Sequence, residues 1–275
     1  MLRALLILTL ATALATGPTG AQARNDQVAS IAPRVIHTLP FKTGESLVYE
    51  VSFSKYIFSG TIGELKLLVG DRAKEEKGEL IELQAEAVSK GFFPKIFGIK
   101  VRDRFHSVVS SKDFGLHTAT RFIEEGSVRR EQKSVVNREA GRVTYIDRDL
   151  ANEKAEPRVH ETAAPAWVQD TLSACYFVRT QKLTEGDIIP VPISDGPQVY
   201  NIDVVVGKRE KVKVDAGKFD TVVLEVKAFD GRYVRRSGEM FIWVTDDEKR
   251  IPVRAKIKTS GATVSIELKQ ARYSK

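Results

Sequence analysis

Few residues of this 275-residue chain stand in an arrangement that covalent or metal chemistry would need. The four histidines, His37, His106, His117 and His160, lie far apart, and none adjoins the single cysteine, Cys175. A local zinc site needs ligands a few residues apart, so no metal is expected. Ser173 has no base near it in sequence and reads as a packing serine. No G-x-S-x-G elbow, H-E-x-x-H pair or P-loop occurs, so none of the reactions those motifs support is indicated. Asp246 and Asp247 are adjacent carboxylates. On a strand such neighbours face opposite ways, and in a turn Asp bonds the backbone. No catalytic residue and no cofactor is expected. Hydrolysis of an envelope polymer would need two carboxylates facing across a cleft, and no such pair stands out.

Binding chemistry is better represented. The run Gly91-Phe92-Phe93-Pro94-Lys95-Ile96-Phe97-Gly98-Ile99 holds three phenylalanines and two isoleucines in a segment broken by Gly and Pro. Aromatics in such a connector can gate a hydrophobic pocket or touch a membrane or partner. The plainer reading is a loop folded over the end of a β core. Lys55-Tyr56-Ile57-Phe58 poses the same choice, and the two could share one end of the molecule. Arg179 closes an apolar run that includes Tyr176. An enclosed guanidinium needs a carboxylate or carbonyls, so Arg179 is either a tie to a strand acid or a contact for an anion or head group. The ligand-binding candidates are Phe92, Phe93, Phe97, Tyr176 and Arg179.

These residues need elements to hold them. Ala166 to Leu183, AWVQDTLSACYFVRTQKL, is the one convincing helix after the leader, and it leaves almost no polar face. A helix apolar all round is buried on more than one side, which makes this one a post between two β-rich halves. Asp170 and Thr171 suit its N-terminal cap, Arg179 and Lys182 its last turns, and Gly186 its stop. Cys175 within it reads as a small buried hydrophobe rather than a reactive thiol. Before the helix, Leu47, Tyr49, Val51 and Phe53 alternate with polar residues, the period of a half-buried strand. Further strands are expected through 65–69, 81–87, 100–109, 115–123, 128–136 and 142–147, with Asn152–Ala164 a polar connector. A second meander is expected through 188–193, 199–206, 210–214, 221–228, 237–244, 251–259 and 263–270. The expected fold is mainly β: antiparallel meanders forming a curled sheet, half-barrel or barrel-like sandwich around one central helix.

The first 23 residues, MLRALLILTLATALATGPTGAQA, have the basic start, apolar core and A-x-A end of a secretory signal peptide. The expected organisation is a signal peptide over 1–23, a linker over 24–40 and one β-rich domain over 41–272. That domain has halves 41–150 and 187–272 joined by the helix. No later segment is apolar for long enough to span a bilayer, so the expected location is periplasmic or secreted, with no transmembrane segment after cleavage. A formal net charge of +7 is spread among acids, as in Lys208-Arg209-Glu210-Lys211. Interspersed charge of this kind marks solvated strand faces, and no nucleic-acid motif accompanies it. A single cysteine precludes an intramolecular disulfide.

Four segments, taken together, resemble the uncharacterised family of exported bacterial proteins known as domain of unknown function 3108. They are Phe41-Lys-Thr-Gly-Glu-Ser-Leu-Val-Tyr-Glu-Val with Gly60 and Gly63; Asp170-Thr-Leu-Ser-Ala-Cys-Tyr-Phe-Val-Arg179; Ala216-Gly-Lys-Phe-Asp-Thr221 leading to Glu225; and Ile242-Trp-Val-Thr-Asp-Asp-Glu-Lys-Arg-Ile-Pro-Val-Arg254. Their order and spacing run from Phe41 to Leu268. The resemblance implies an exported, mainly antiparallel β protein without a known catalytic site. The function expected is non-enzymatic work in the cell envelope, binding an apolar ligand such as a lipid or acyl chain. The alternative is an envelope scaffold or assembly factor acting through protein contacts.

Overall fold

The structure, a computed structural model, describes residues 36, 39–75, 78–91, 98, 100–229, 231, 233–234 and 237–273. Eight strands precede the helix: β1 (Ser46–Lys55), β2 (Phe58–Glu75), β3 (Gly78–Ser89), β4 (Arg102–Ser110), β5 (Leu116–Glu125), β6 (Val128–Asn137), β7 (Arg142–Asp149) and β8 (Arg158–Ala163). The helix, α1, spans Thr171–Arg179. Six strands follow: β9 (Ile188–Asp195), β10 (Gln198–Val214), β11 (Gly217–Val226), β12 (Gly238–Thr245), β13 (Pro252–Thr259) and β14 (Ala262–Arg272). The two expected meanders are one antiparallel sheet of fourteen strands, because β1 pairs with β14 as well as with β2. Its edges are β8 and β9, on either side of α1 in sequence, and the sheet curls without closing into a barrel.

Strand periodicity decides which side chains enter. On β4, Asp103, Phe105, Ser107 and Val109 are buried, and on β5 Leu116, Ala119, Arg121 and Ile123 are buried. α1 lies against the resulting concave face, touching β3, β4 and β9. Leu172, Tyr176, Phe177 and Val178 are all buried in the main core. Complete burial of a side chain of this size contributes about 1.5–3 kcal/mol, so these four residues hold the helix in place.

The helix is shorter than the Ala166–Leu183 expected from composition. Gln169 forms a parallel bridge with Ile193 of β9, its N–H donating to Pro192 O and its carbonyl accepting from Ser194 N–H. Sheet pairing therefore takes the residues before Asp170. At the other end Thr180 is the C-cap, and Gly186 (φ 88°) serves the turn into β9 instead of stopping the helix. Three strand boundaries also differ. The expected polar connector contains β8, paired along β7 from Arg142↔Ala163 to Asp147↔Arg158. The strands expected at 199–206 and 210–214 are the single strand β10, with a register shift between Val206 and Arg209. β2 runs on to Glu75 past a similar shift between Val69 and Arg72, so the charged run from Asp71 is mostly strand. A β-bulge bends a strand without ending it, and the break it puts in the alternation mimics a turn.

Candidate functional site

Three places depart from a plain apolar core with a polar surface. The first is the C-terminal end of α1. Arg179 is 2% exposed and its guanidinium makes two bonds to Glu45, at 2.6 and 2.9 Å, and two to Lys249 O, at 3.2 and 3.0 Å. The guanidinium also lies over the rings of Phe41 and Tyr176, at 5.1 and 5.2 Å. Burial opposes its charge, but the bonds and charge of Glu45 outweigh that and raise the Arg179 pKa. Arg250 donates to Arg179 O at 2.8 Å, and Tyr49 OH donates to Pro252 O at 2.9 Å. Asp247 accepts from Thr245 Oγ1 and from the N–H groups of Lys249 and Arg250. The adjacent carboxylates thus include a turn-maker, as their setting suggested. Three of the four segments that carry the family resemblance, around Glu45, Arg179 and Lys249, meet at this junction.

The second place is the N-terminal end of α1. Asp170 accepts from Ser173 N–H at 2.9 Å while Ser173 Oγ accepts from Asp170 N–H at 3.0 Å, a reciprocal cap. Ser107 donates to the other Asp170 oxygen at 2.9 Å. Beside it Arg121 pairs with Asp195 and donates to Thr171 Oγ1 at 3.2 Å, and Tyr233 OH donates to Asp195 at 2.8 Å. Burial works against the Arg121 charge, but Asp195 and then Asp170 raise its pKa. One arginine–carboxylate pair therefore secures each end of the helix. Cys175 donates to Thr171 O at 3.4 Å, and burial pushes its thiol up to about 11, which leaves it unreactive at neutral pH.

The third place is the surface hairpin between β1 and β2. Tyr56, Ile57 and Phe58 are 84%, 90% and 62% exposed. Tyr56 has φ 53°, while Ile57 is not among the residues of positive φ. A two-residue turn with positive φ at its first position calls for glycine, and an aromatic residue held there is strained by about 1–3 kcal/mol. The connector that contains Phe92, Phe93 and Phe97 is anchored at the same end. Lys90 N–H donates to Ile62 O, and Gly126 N–H donates to Lys100 O. An added side-chain carbon at Gly91 would stand 2.4 Å from Thr61 O, so only glycine lets the chain leave so close to β2.

The sequence candidates therefore separate. Tyr176 and Arg179 are in the core, 1% and 2% exposed. Phe92, Phe93 and Phe97 lie outside the described residues. Glu45 and the Arg121–Asp195 pair were not singled out in sequence, although Arg121 shares the inward phase of Ala119 and Ile123. No group of three or more potential metal ligands occurs among the described residues. Among these residues, too, no helix is long and apolar enough to cross a membrane.

No curated protein matches the chain. A β-barrel-like protein of domain of unknown function DUF1849 from Brucella abortus is similar in structure, with a TM-score of 0.56 and 9% identity over 86% of this chain and 99% of that one. At that identity the likeness shows the fold alone. A Bacteroides fragilis protein of YmcC-like fold, held to be exported, gives a TM-score of 0.36 at 9% identity over 85% of this chain and 98% of that one. That score is too low to carry an argument. The family model for DUF3108, proteins of unknown function, matches residues 48–269, and the chain belongs to that family.

Proposed function

We propose that this is an exported, non-enzymatic protein of the cell envelope. Its function is to bind an apolar ligand, a lipid or acyl chain, at the end of the sheet that carries the β1–β2 hairpin. The observation that supports this most is the exposure of Tyr56, Ile57 and Phe58 together on a strained turn. Contiguous exposed apolar side chains mark sites of contact with lipid, ligand or partner. The concave face is a poorer place for a ligand, since α1 occupies it and both of its ends are tied by buried ion pairs. In this reading Phe92, Phe93 and Phe97 extend the apolar end from the neighbouring connector, while Tyr176 and Arg179 hold the helix.

Purification from the native host followed by native mass spectrometry tests the reading. Lipid or fatty acid bound to the wild type and depleted when Ile57 and Phe58 become Ser supports it. Repeated recovery of empty protein would sink it.

A further inference from the structure

The two ends of the curled sheet differ in charge. Successive connectors of an antiparallel meander leave alternate ends. At the end with the apolar hairpin they are 56–57, 90–101, 126–127, 150–157, 196–197, 227–237 and 260–261, whose described residues carry four Lys or Arg against two Asp or Glu, with Lys90 and Lys227 paired to Glu64 and Glu225 on the strands. At the opposite end the described connectors are 111–115, 138–141, 164–170, 180–187, 215–216 and 246–251, with five against nine. Along the strands basic and acidic residues interleave, so the contrast belongs to the ends. Lys55 closes β1 beside the tip, its ammonium 5.7 Å from the Tyr56 ring, and no carboxylate pairs with it among the described residues. Lys100, at the exit of the aromatic connector, is exposed and likewise unpaired among them.

From this coincidence of exposed hydrocarbon and basic excess we infer that the hairpin end docks on an anionic lipid bilayer. The inference rests on the apolar-ligand reading above and names the bilayer as the source of the lipid. Three exposed side chains do not by themselves enclose a lipid molecule. A bilayer brings its own apolar interior, into which Ile57 and Phe58 dip while Tyr56 sits at the headgroup level, where an amphipathic ring is favoured. Lys55 and Lys100 then face lipid phosphates. Each such cation strengthens attachment roughly fivefold, and each fully buried large apolar side chain by about tenfold or more. The acid-rich end is repelled by the same surface, which fixes the orientation: β1 is entered and β14 is left on the side away from the membrane. The glycine-demanding turn follows from this use, since Tyr56 and Ile57 are poor choices for the turn and good ones for an interface.

Vesicle flotation of the signal-free chain tests the inference, using phosphatidylcholine vesicles with and without phosphatidylglycerol. The variant Tyr56→Gly, Ile57→Asn, Phe58→Thr removes the apolar tip and gives the turn a glycine where it wants one, so its melting temperature should be no lower than that of the wild type. The wild type is expected to float with the anionic vesicles alone, and to lose that binding as salt rises from about 0.1 M to about 0.5 M. The tip variant is expected to bind at least about tenfold more weakly. Undiminished binding by the folded tip variant, or equal binding to neutral vesicles, overturns the inference. So does capture of a protein through the tip without vesicle binding. Lipid co-purifying with a protein that binds neither vesicle also overturns docking, while leaving the apolar-ligand reading in place. Loss of both lipid and vesicle binding removes the two together.

Discussion

Arg179 and Ile57 both invert the usual partition of side chains, one a charge that is 2% exposed and the other a hydrocarbon that is 90% exposed. Arg179 is compensated inside the chain. Glu45 meets it with two bonds, Lys249 O with two more, and two aromatic rings flank its plane. Ile57 has no such company, and its turn is strained as well. Where the fold compensates an inversion, the residue is accounted for by stability. Where it does not, the compensation has to come from outside the chain, and function is the place to look.

Removing one member of the buried Arg179–Glu45 pair should have the largest effect. Arg179→Ala should cost about 3–5 kcal/mol, because it leaves Glu45 buried and unpaired. Changing both residues, Arg179→Met with Glu45→Leu, should recover most of that loss, and urea unfolding of the three proteins distinguishes the outcomes. A recovery of nothing would mean that the junction needs its charge.

Asp103 offers an inversion only half compensated. One of its oxygens accepts from Glu124 N–H at 2.9 Å, and the other is buried without a partner. Burial raises its pKa to about 7, with nearby Glu125 adding to the rise. The folded chain therefore keeps this proton up to about pH 7, whereas the unfolded chain releases it near 3.8. Folded protein binds more protons in that window, so this contribution to stability declines as pH rises through it and stays lost above. Asp103→Asn should flatten the decline and make the protein more stable than wild type at pH 8, by up to a few kcal/mol. Unchanged pH dependence in thermal melts would contradict this.

Smaller effects are expected at the cap and the tip. Asp170→Ala removes the acceptor of both Ser173 N–H and Ser107 Oγ and should cost about 1–2 kcal/mol in the same urea assay. Tyr56→Gly should instead gain about 1 kcal/mol by relieving the positive φ, partly offset by the greater freedom glycine brings to the unfolded chain. A loss of stability there would show that the Tyr56 ring contributes to the fold.

Much of this architecture was legible in the sequence, for reasons that particular residues make plain. Leu47, Tyr49 and Val51 alternate because β1 has one face inward, and Asp170 announced a cap because its side chain satisfies its own helix. The extent of the helix was not legible. Gln169 belongs to a bridge with β9, which local composition does not encode. That Arg179 would need an acid could be argued from burial alone. That the acid is Glu45, 134 residues away, could not. The Arg121–Asp195 pair left one trace, a charged residue in the apolar phase of a strand. The aromatic connector and Lys55–Phe58 both stood out by composition, and what the structure adds for the hairpin is the exposure of its apolar tip.

The pairing of β1 with β14 has a consequence for the order of events. Ser46 lies opposite Arg272, so the first strand made is bonded to the last. A chain delivered N-terminus first holds β1 against β2 alone, its other edge open, until the final strand arrives. Such long-range closure is slow, and an open strand edge invites pairing with other chains in the meantime. Synthesis therefore exposes this protein to misassembly for nearly the full length of its chain. A truncation that omits β14 should aggregate even though every other strand is present.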